Sequence, residues 1–193
     1  MNAPITLGKD TELVARFEKE LLGNLKWLAE KLEKLGNLHN EKINASIALR
    51  HAIAMDALML DELSAKSKIL IKKKNGKTTE ICIDRDSLLG FKQSFADKPP
   101  EKSEDSLITL EFGHEILSNI KWVAVKLEEI GELSKNSITL PIALRHAISM
   151  DALMLDEMDQ DSRILIQKRN GKKTEIRVDR QSVLSFKEMF ANS

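Results

Sequence analysis

The chain carries a single cysteine, Cys82, so no disulfide can close within it and no thiolate cluster can hold a metal. A reducing compartment suits that composition. No stretch approaches the roughly 20 consecutive apolar residues that span a bilayer, and the opening MNAPITLGKD lacks the basic start and apolar core of an export signal. The expected location is therefore the cytoplasm, with no membrane partner. Net charge is also missing. Thirty Lys and Arg balance thirty Asp and Glu, which leaves no global field to draw nucleic acid or anionic lipid, so any such affinity must come from local clustering. Aromatic residues make up 4% of the chain, without one tyrosine, and they sit among apolar neighbours where core packing is their ordinary role. None interleaves with the basic segments, so no base-stacking platform is visible. Phosphate-binding loops, dinucleotide fingerprints, nucleophile elbows and zinc-ligand spacings are all absent. No cofactor and no metal is expected.

What the chain has is the same pattern twice. Sliding the sequence by 95 residues lays 11–98 on 106–193 without a gap, and 47 of the 88 pairs are identical. Identity peaks where IALRHAIAMDALMLDEL (47–63) meets IALRHAISMDALMLDEM (142–158), with 15 of 17 residues matched. The pattern reads as a tandem duplication. With 42% hydrophobic and 31% charged residues in a chain of 193, there is material for a substantial core.

One unit reads as helix, helix, β-hairpin, helix. Phe17, Leu21, Leu25, Leu28, Leu32 and Leu35 recur at steps of four and three, which predicts a helix over 11–35 with Gly36 as its left-handed cap. Pro141 is tolerated only in a first helical turn, so a second helix starts near Asn44 and Thr139 and runs to about Leu63 in the first unit. Asn75-Gly76 is a hairpin signal. A three-residue loop of Lys74, Asn75 and Gly76 pairs Ile69 with Ile81 and places Ile69, Ile71, Ile81 and Ile83 on one face; a two-residue loop would mix the faces. Asp84 to Ser87, matched by Asp179 to Ser182, reads as an N-cap opening a third helix. The predicted organisation is a tail (1–10), a first unit (11–96), a charged and proline-bearing linker (97–105) and a second unit (106–193). The expected fold is α+β, with the two units packed as a pseudo-two-fold intramolecular dimer; two separate beads are the alternative.

Candidate functional residues follow from this pattern. On a wheel of 100° per residue, Ile47, Ala54 and Leu58 form an apolar stripe flanked by Arg50 with Asp61 and by His51 with Glu62. The acidic pair occupies the last helical turn, where the macrodipole disfavours it. An antiparallel crossing near Asp56 and Asp151 would bring Arg50 and His51 to Asp156 and Glu157, and Arg145 and His146 to Asp61 and Glu62. The expected interface thus comprises Ile47, Arg50, His51, Ala54, Leu58, Asp61 and Glu62 with Ile142, Arg145, His146, Ser149, Leu153, Asp156 and Glu157. Asp56 and Asp151 sit on the face expected to be buried and need a partner, for which Trp27, Lys26 or Lys31 and their counterparts are candidates. The hairpin tips, KKKNGK and QKRNGKK, carry four positive charges each and leave the rest of the chain acidic by eight. Lys72, Lys73, Lys74 and Lys77, with Lys168, Arg169, Lys172 and Lys173, are thus candidate phosphate contacts, weighed against an ordinary role in guarding strand edges. The expected function is a non-enzymatic interaction or regulatory protein whose partner is another protein. Nucleic-acid binding through the tips is the alternative. An enzyme or a metal site between the repeated helices is a second one, with His51, Asp56, His146 and Asp151 as the candidates.

Overall fold

The computed structural model describes residues 6–7, 12–17, 19–38, 42–63, 67–96, 106–111, 114–159, 161–168 and 170–191. Among these residues the fold is mixed α+β, with six helices and a four-stranded antiparallel sheet, and no helix is long and apolar enough to cross a membrane. The predicted linker, 97–105, lies outside the described residues.

α1 (Lys19–Leu35) buries Leu21, Leu25, Leu28, Leu32 and Leu35, and α4 (His114–Ile130) buries Ile116, Ile120, Val123 and Leu127 at the same steps of four and three. The predicted first helix nevertheless starts too early. Residues 12–17 form a strand, β2 (Glu12–Phe17), paired antiparallel with β5 (Ser106–Glu111) so that Val14 faces Thr109. Thr6–Leu7, placed in a tail by the sequence, form β1 on the other side of β2. A helical period extrapolated backwards through Phe17 could not register a partner strand some ninety residues away; non-local pairing overrides the local pattern here.

The helix ends also differ from expectation. Gly36 does not carry the left-handed conformation. Asn37 (φ 50°) does, as does Glu132 (φ 49°) after α4. Leu38 N–H bonds the Glu33 carbonyl and Asn37 N–H the Lys34 carbonyl, a Schellman closure that recurs with Leu133 and Glu132. Glycine is needed for space instead: a Cβ on Gly36 would stand 3.3 Å from Val183 Cβ, and one on Gly131 would stand 2.9 Å from Leu88 Cδ1.

α2 (Ala45–Glu62) is capped by Asn44, whose side chain accepts from Ile47 N–H, and α5 (Leu140–Glu157) begins after Thr139 with Pro141 in its first turn. These two helices fill the centre of the molecule. α2 packs against α1, α4 and α5, and α5 packs against α1, α2 and α4. Each is therefore buried on most of its circumference, including all of Leu49, Ala52, Ile53, Met59 and Leu60.

The four-stranded sheet runs β4 (Thr78–Ile81), β3 (Lys68–Lys72), β6 (Arg163–Gln167), β7 (Lys173–Ile176). Ile69 faces Ile81, as the three-residue loop requires, and Lys73 N–H closes the hairpin on the Lys77 carbonyl with Gly76 at φ 84°. At the sheet centre β3 pairs with β6 and Leu70 faces Leu165. Ile69, Ile71, Ile164 and Ile166 on the inner face are at most 1% exposed, a burial that stabilises by about 1.5–3 kcal/mol per side chain. The opposite face carries Lys68, Lys72, Arg163 and Lys173 outward, all exposed. α3 (Arg85–Ala96) and α6 (Arg180–Ala191) follow the hairpins, each opened by an aspartate, Asp84 or Asp179, whose carboxylate accepts from the N–H of Ser87 or Ser182.

Candidate functional site

The chemistry-bearing side chains of α2 and α5 converge at the helix crossing. His51 Nδ1 lies 2.9 Å from Asp151 Oδ2, and His146 Nδ1 lies 3.0 Å from Asp56 Oδ2. A carboxylate only accepts, so each ring donates its Nδ1 hydrogen. The two contacts are reciprocal. They centre the crossing between residues 53 and 54 of one helix and 148 and 149 of the other, about one turn before Asp56 and Asp151, where the sequence had placed it.

Several sequence expectations change as a result. Asp56 is fully buried as expected, but its partner is His146, not Trp27, Lys26 or Lys31. Lys31 lies over the Trp27 ring instead, and Lys126 over Trp122. His51 meets Asp151 and not Glu157. Glu157 accepts from Thr79 and pairs with Lys73 at 3.1 Å, and Glu62 accepts from Thr174 and pairs with Lys168 at 2.8 Å. These bonds hold both carboxyl groups below the usual carboxylate range, through the lysine first and the threonine second. They explain why acidic residues end helices against the dipole: each is fastened to a hairpin of the other half of the sequence. Leu58 and Leu153, placed on the interface stripe by the wheel, are 47% and 48% exposed, and Asp61 and Asp156 are exposed as well. The wheel failed because helices buried on most sides have no single apolar stripe; their dominant contact surface runs through Ala52, Ile53, Asp56 and Met59. Arg50 is buried, Ile47 also, and Arg145, Ile142, Ala54 and Ser149 are partly buried.

The geometry leaves little room for catalysis at these groups. His51 and His146 are 5% and 4% exposed, and their rings meet Phe186 and Phe91 edge-on at 5.3 and 5.4 Å. The second oxygens of Asp56 and Asp151 accept no hydrogen bond among the described residues, each at a desolvation cost of about 1–3 kcal/mol. Among the described residues no three His, Cys, Asp or Glu side chains are grouped to hold a metal ion. Cys82 is exposed, and its thiol donates to Glu80, which pushes its pKa up, away from the thiolate a nucleophile needs.

The hairpin lysines divide by the face they occupy. Lys73 and Lys168, on the inward side, are taken by Glu157 and Glu62, and Lys74 pairs with Asp161. Lys72, Lys77, Lys172 and Lys173 are exposed; Arg169 lies outside the described residues. Sequence reasoning counted all eight together because charge alone does not tell an inward strand position from an outward one. Alternation with Ile69, Ile71, Ile164 and Ile166 could have separated them. Compared with models of known protein families, with curated proteins and with solved structures, the chain matches none.

Proposed function

We propose that the chain is a non-enzymatic interaction protein built as a fused dimer, in which two copies of a helix-helix-hairpin-helix unit pack about a shared pseudo-two-fold axis. The observation that carries this reading is the reciprocity of the buried pairs, His51 with Asp151 and His146 with Asp56. They consume the side chains best suited to chemistry and do so as a symmetric lock.

Other contacts support the same axis. Leu70 faces Leu165 and Val14 faces Thr109, each pair 95 residues apart, as are the centres of the helix crossing. Arg85 caps the carbonyls of Gly131 and Glu132, while Arg180 reaches the carbonyl of Asn37. A fused dimer presents two similar surfaces on one polypeptide, and each can diverge without breaking the fold.

Two measurements test the reading. Segments 1–96 and 106–193 expressed separately are expected to stay unfolded alone and to form a 1:1 complex when mixed; two independently folded monomers that ignore each other overturn the fused dimer. Capture from the source cells with the full chain and with a His51→Asn, His146→Asn double variant is expected to recover the same stoichiometric partner. A substrate turned over by the parent and not by a double variant shown to be folded by its thermal melt overturns the non-enzymatic role.

A further inference from the structure

The charge of the chain is segregated by layer. Residues 67–83 and 162–178, the two hairpins, hold eleven Lys and Arg against Glu80 and Glu175, so the neutral chain leaves the remaining residues negative by nine. The inward Lys73 and Lys168 are fastened to helix carboxylates, and the outward face carries the exposed Lys68, Lys72, Arg163, Lys173 and Arg177. There the strand register arranges it in rows. Across one end of the sheet run Thr78, Lys72 and Arg163; across the other run Lys68, Gln167 and Lys173. Between them lies a row of Glu80, Leu70, Leu165 and Glu175.

The two ends differ in residue. Lys72 corresponds to Gln167 under the 95-residue shift and Thr78 to Lys173, so the strand-paired residues of each row hold two cations; Arg177, where the first unit has Cys82, adds a further cation beside Arg163 through Glu175. Lys68 and Arg163 are also tethered to Glu80 and Glu175, whereas among the described residues no carboxylate stands within ion-pair distance of Lys72 or Lys173. Four residues separate the rows along the strands, about 13 Å, comparable with the roughly 12 Å width of a duplex major groove. The exposed Lys77 and Lys172 share the parity of Thr79 and Thr174 and stand on the inward side beside Glu157 and Glu62, outside these rows. No aromatic side chain stands on this face, which argues against a single strand, since unpaired bases are held mainly by stacking.

We propose that the outward face of the β4-β3-β6-β7 sheet binds the phosphate backbone of a nucleic-acid duplex, one cation row on each side of a groove. This deepens the fused-dimer reading and rests on it, because the axis through Leu70 and Leu165 is what makes the rows equivalent. Contacts of this kind are sequence-independent and sensitive to salt.

The test is fluorescence anisotropy of the full chain with a mixed-sequence 20-base-pair DNA duplex, with its single strand, and with polyglutamate as an acidic-peptide probe. Four to six phosphate contacts predict an affinity that falls by roughly two to three orders of magnitude between 50 and 200 mM salt. The variant K72Q/K173T gives each lysine the residue already present at its counterpart position, so its melting temperature is expected to stay unchanged. Its duplex affinity at low salt is expected to fall by about tenfold or more, with a salt slope shallower by about two. K73Q/K168Q, on the inward side, is expected to lower thermal stability and leave the affinity intact. No duplex binding by the folded parent, equal affinity of K72Q/K173T, preference for the single strand, or equal capture of polyglutamate overturns the duplex assignment alone. Loss confined to one of K72Q and K173T made singly, with the other unchanged, overturns the two-row match; the shared axis is tested separately by the 1:1 complex of the two segments.

Discussion

At the scale of single residues, the buried histidine–aspartate pairs carry the most weight. Removing one member leaves the other without its partner in a site closed to water, a change that costs about 3–5 kcal/mol in comparable buried pairs. His51→Ala and Asp151→Ala are each expected to lower stability by about that much in urea unfolding, and the double variant by clearly less than their sum. Strict additivity would mean the pair contributes no coupling. The carboxylates at the helix ends respond to pH instead. Glu62 and Glu157 titrate below their ordinary value in the folded state, so their contribution is complete above about pH 4.5 and is lost as pH falls through the lowered folded value. E62Q/E157Q is therefore expected to be less stable than the parent at pH 7, with the gap narrowing as pH falls from about 4.5 through the lowered folded value. A gap that does not narrow at all in acid would show that the lost contacts are not electrostatic. The burial of Asp56 was legible in the sequence from its place between Leu49, Ala52, Leu60 and Leu63. Its partner was not, since His146 comes from ninety residues away and helical geometry constrains only near neighbours.

At the scale of elements, what could be read was what depends on local chemistry. The hairpin register follows from keeping four isoleucines on one side, and the caps at Asp84 and Asp179 follow from side chains bonding their own helix ends. β2 and β5 escaped notice because each exists through the other. Gly36 and Gly131 are similar: they look like helix terminators and act as contact surfaces for α6 and α3. Leu88 and Val183 are each 2% exposed, so each is the buried contact by which its helix meets the glycine. Gly131→Ala is expected to cost about 1–3 kcal/mol through overpacking against Leu88, and a smaller increment when made in an L88A background. If Gly131→Ala is neutral in a thermal melt, the close approach is relieved by a small shift of α3.

At the scale of the whole molecule, the buried side chains of both sequence halves join one hydrophobic cluster. A single cooperative unfolding transition is the consequence. Trp27 and Trp122 belong to different halves and sit at the margin of that cluster, so the single-tryptophan variants W27F and W122F provide local reporters. Both are expected to unfold at one denaturant midpoint; two separated midpoints would favour independent beads. Charge reads differently at this scale as well. A neutral total conceals a basic sheet over an acidic helical layer, and only the strand register separates the two.

Arg85 and Leu88 close the end of α4, and Arg180 and Val183 close the end of α1, so each half finishes its partner's helices and not its own. Such a cross-over has no built-in preference for the half attached by peptide bond over the same half of a neighbouring molecule. On the fused-dimer reading, chains refolding at high concentration are expected to trade halves and emerge as exchanged oligomers, with the covalent connection raising the local concentration of the correct mate.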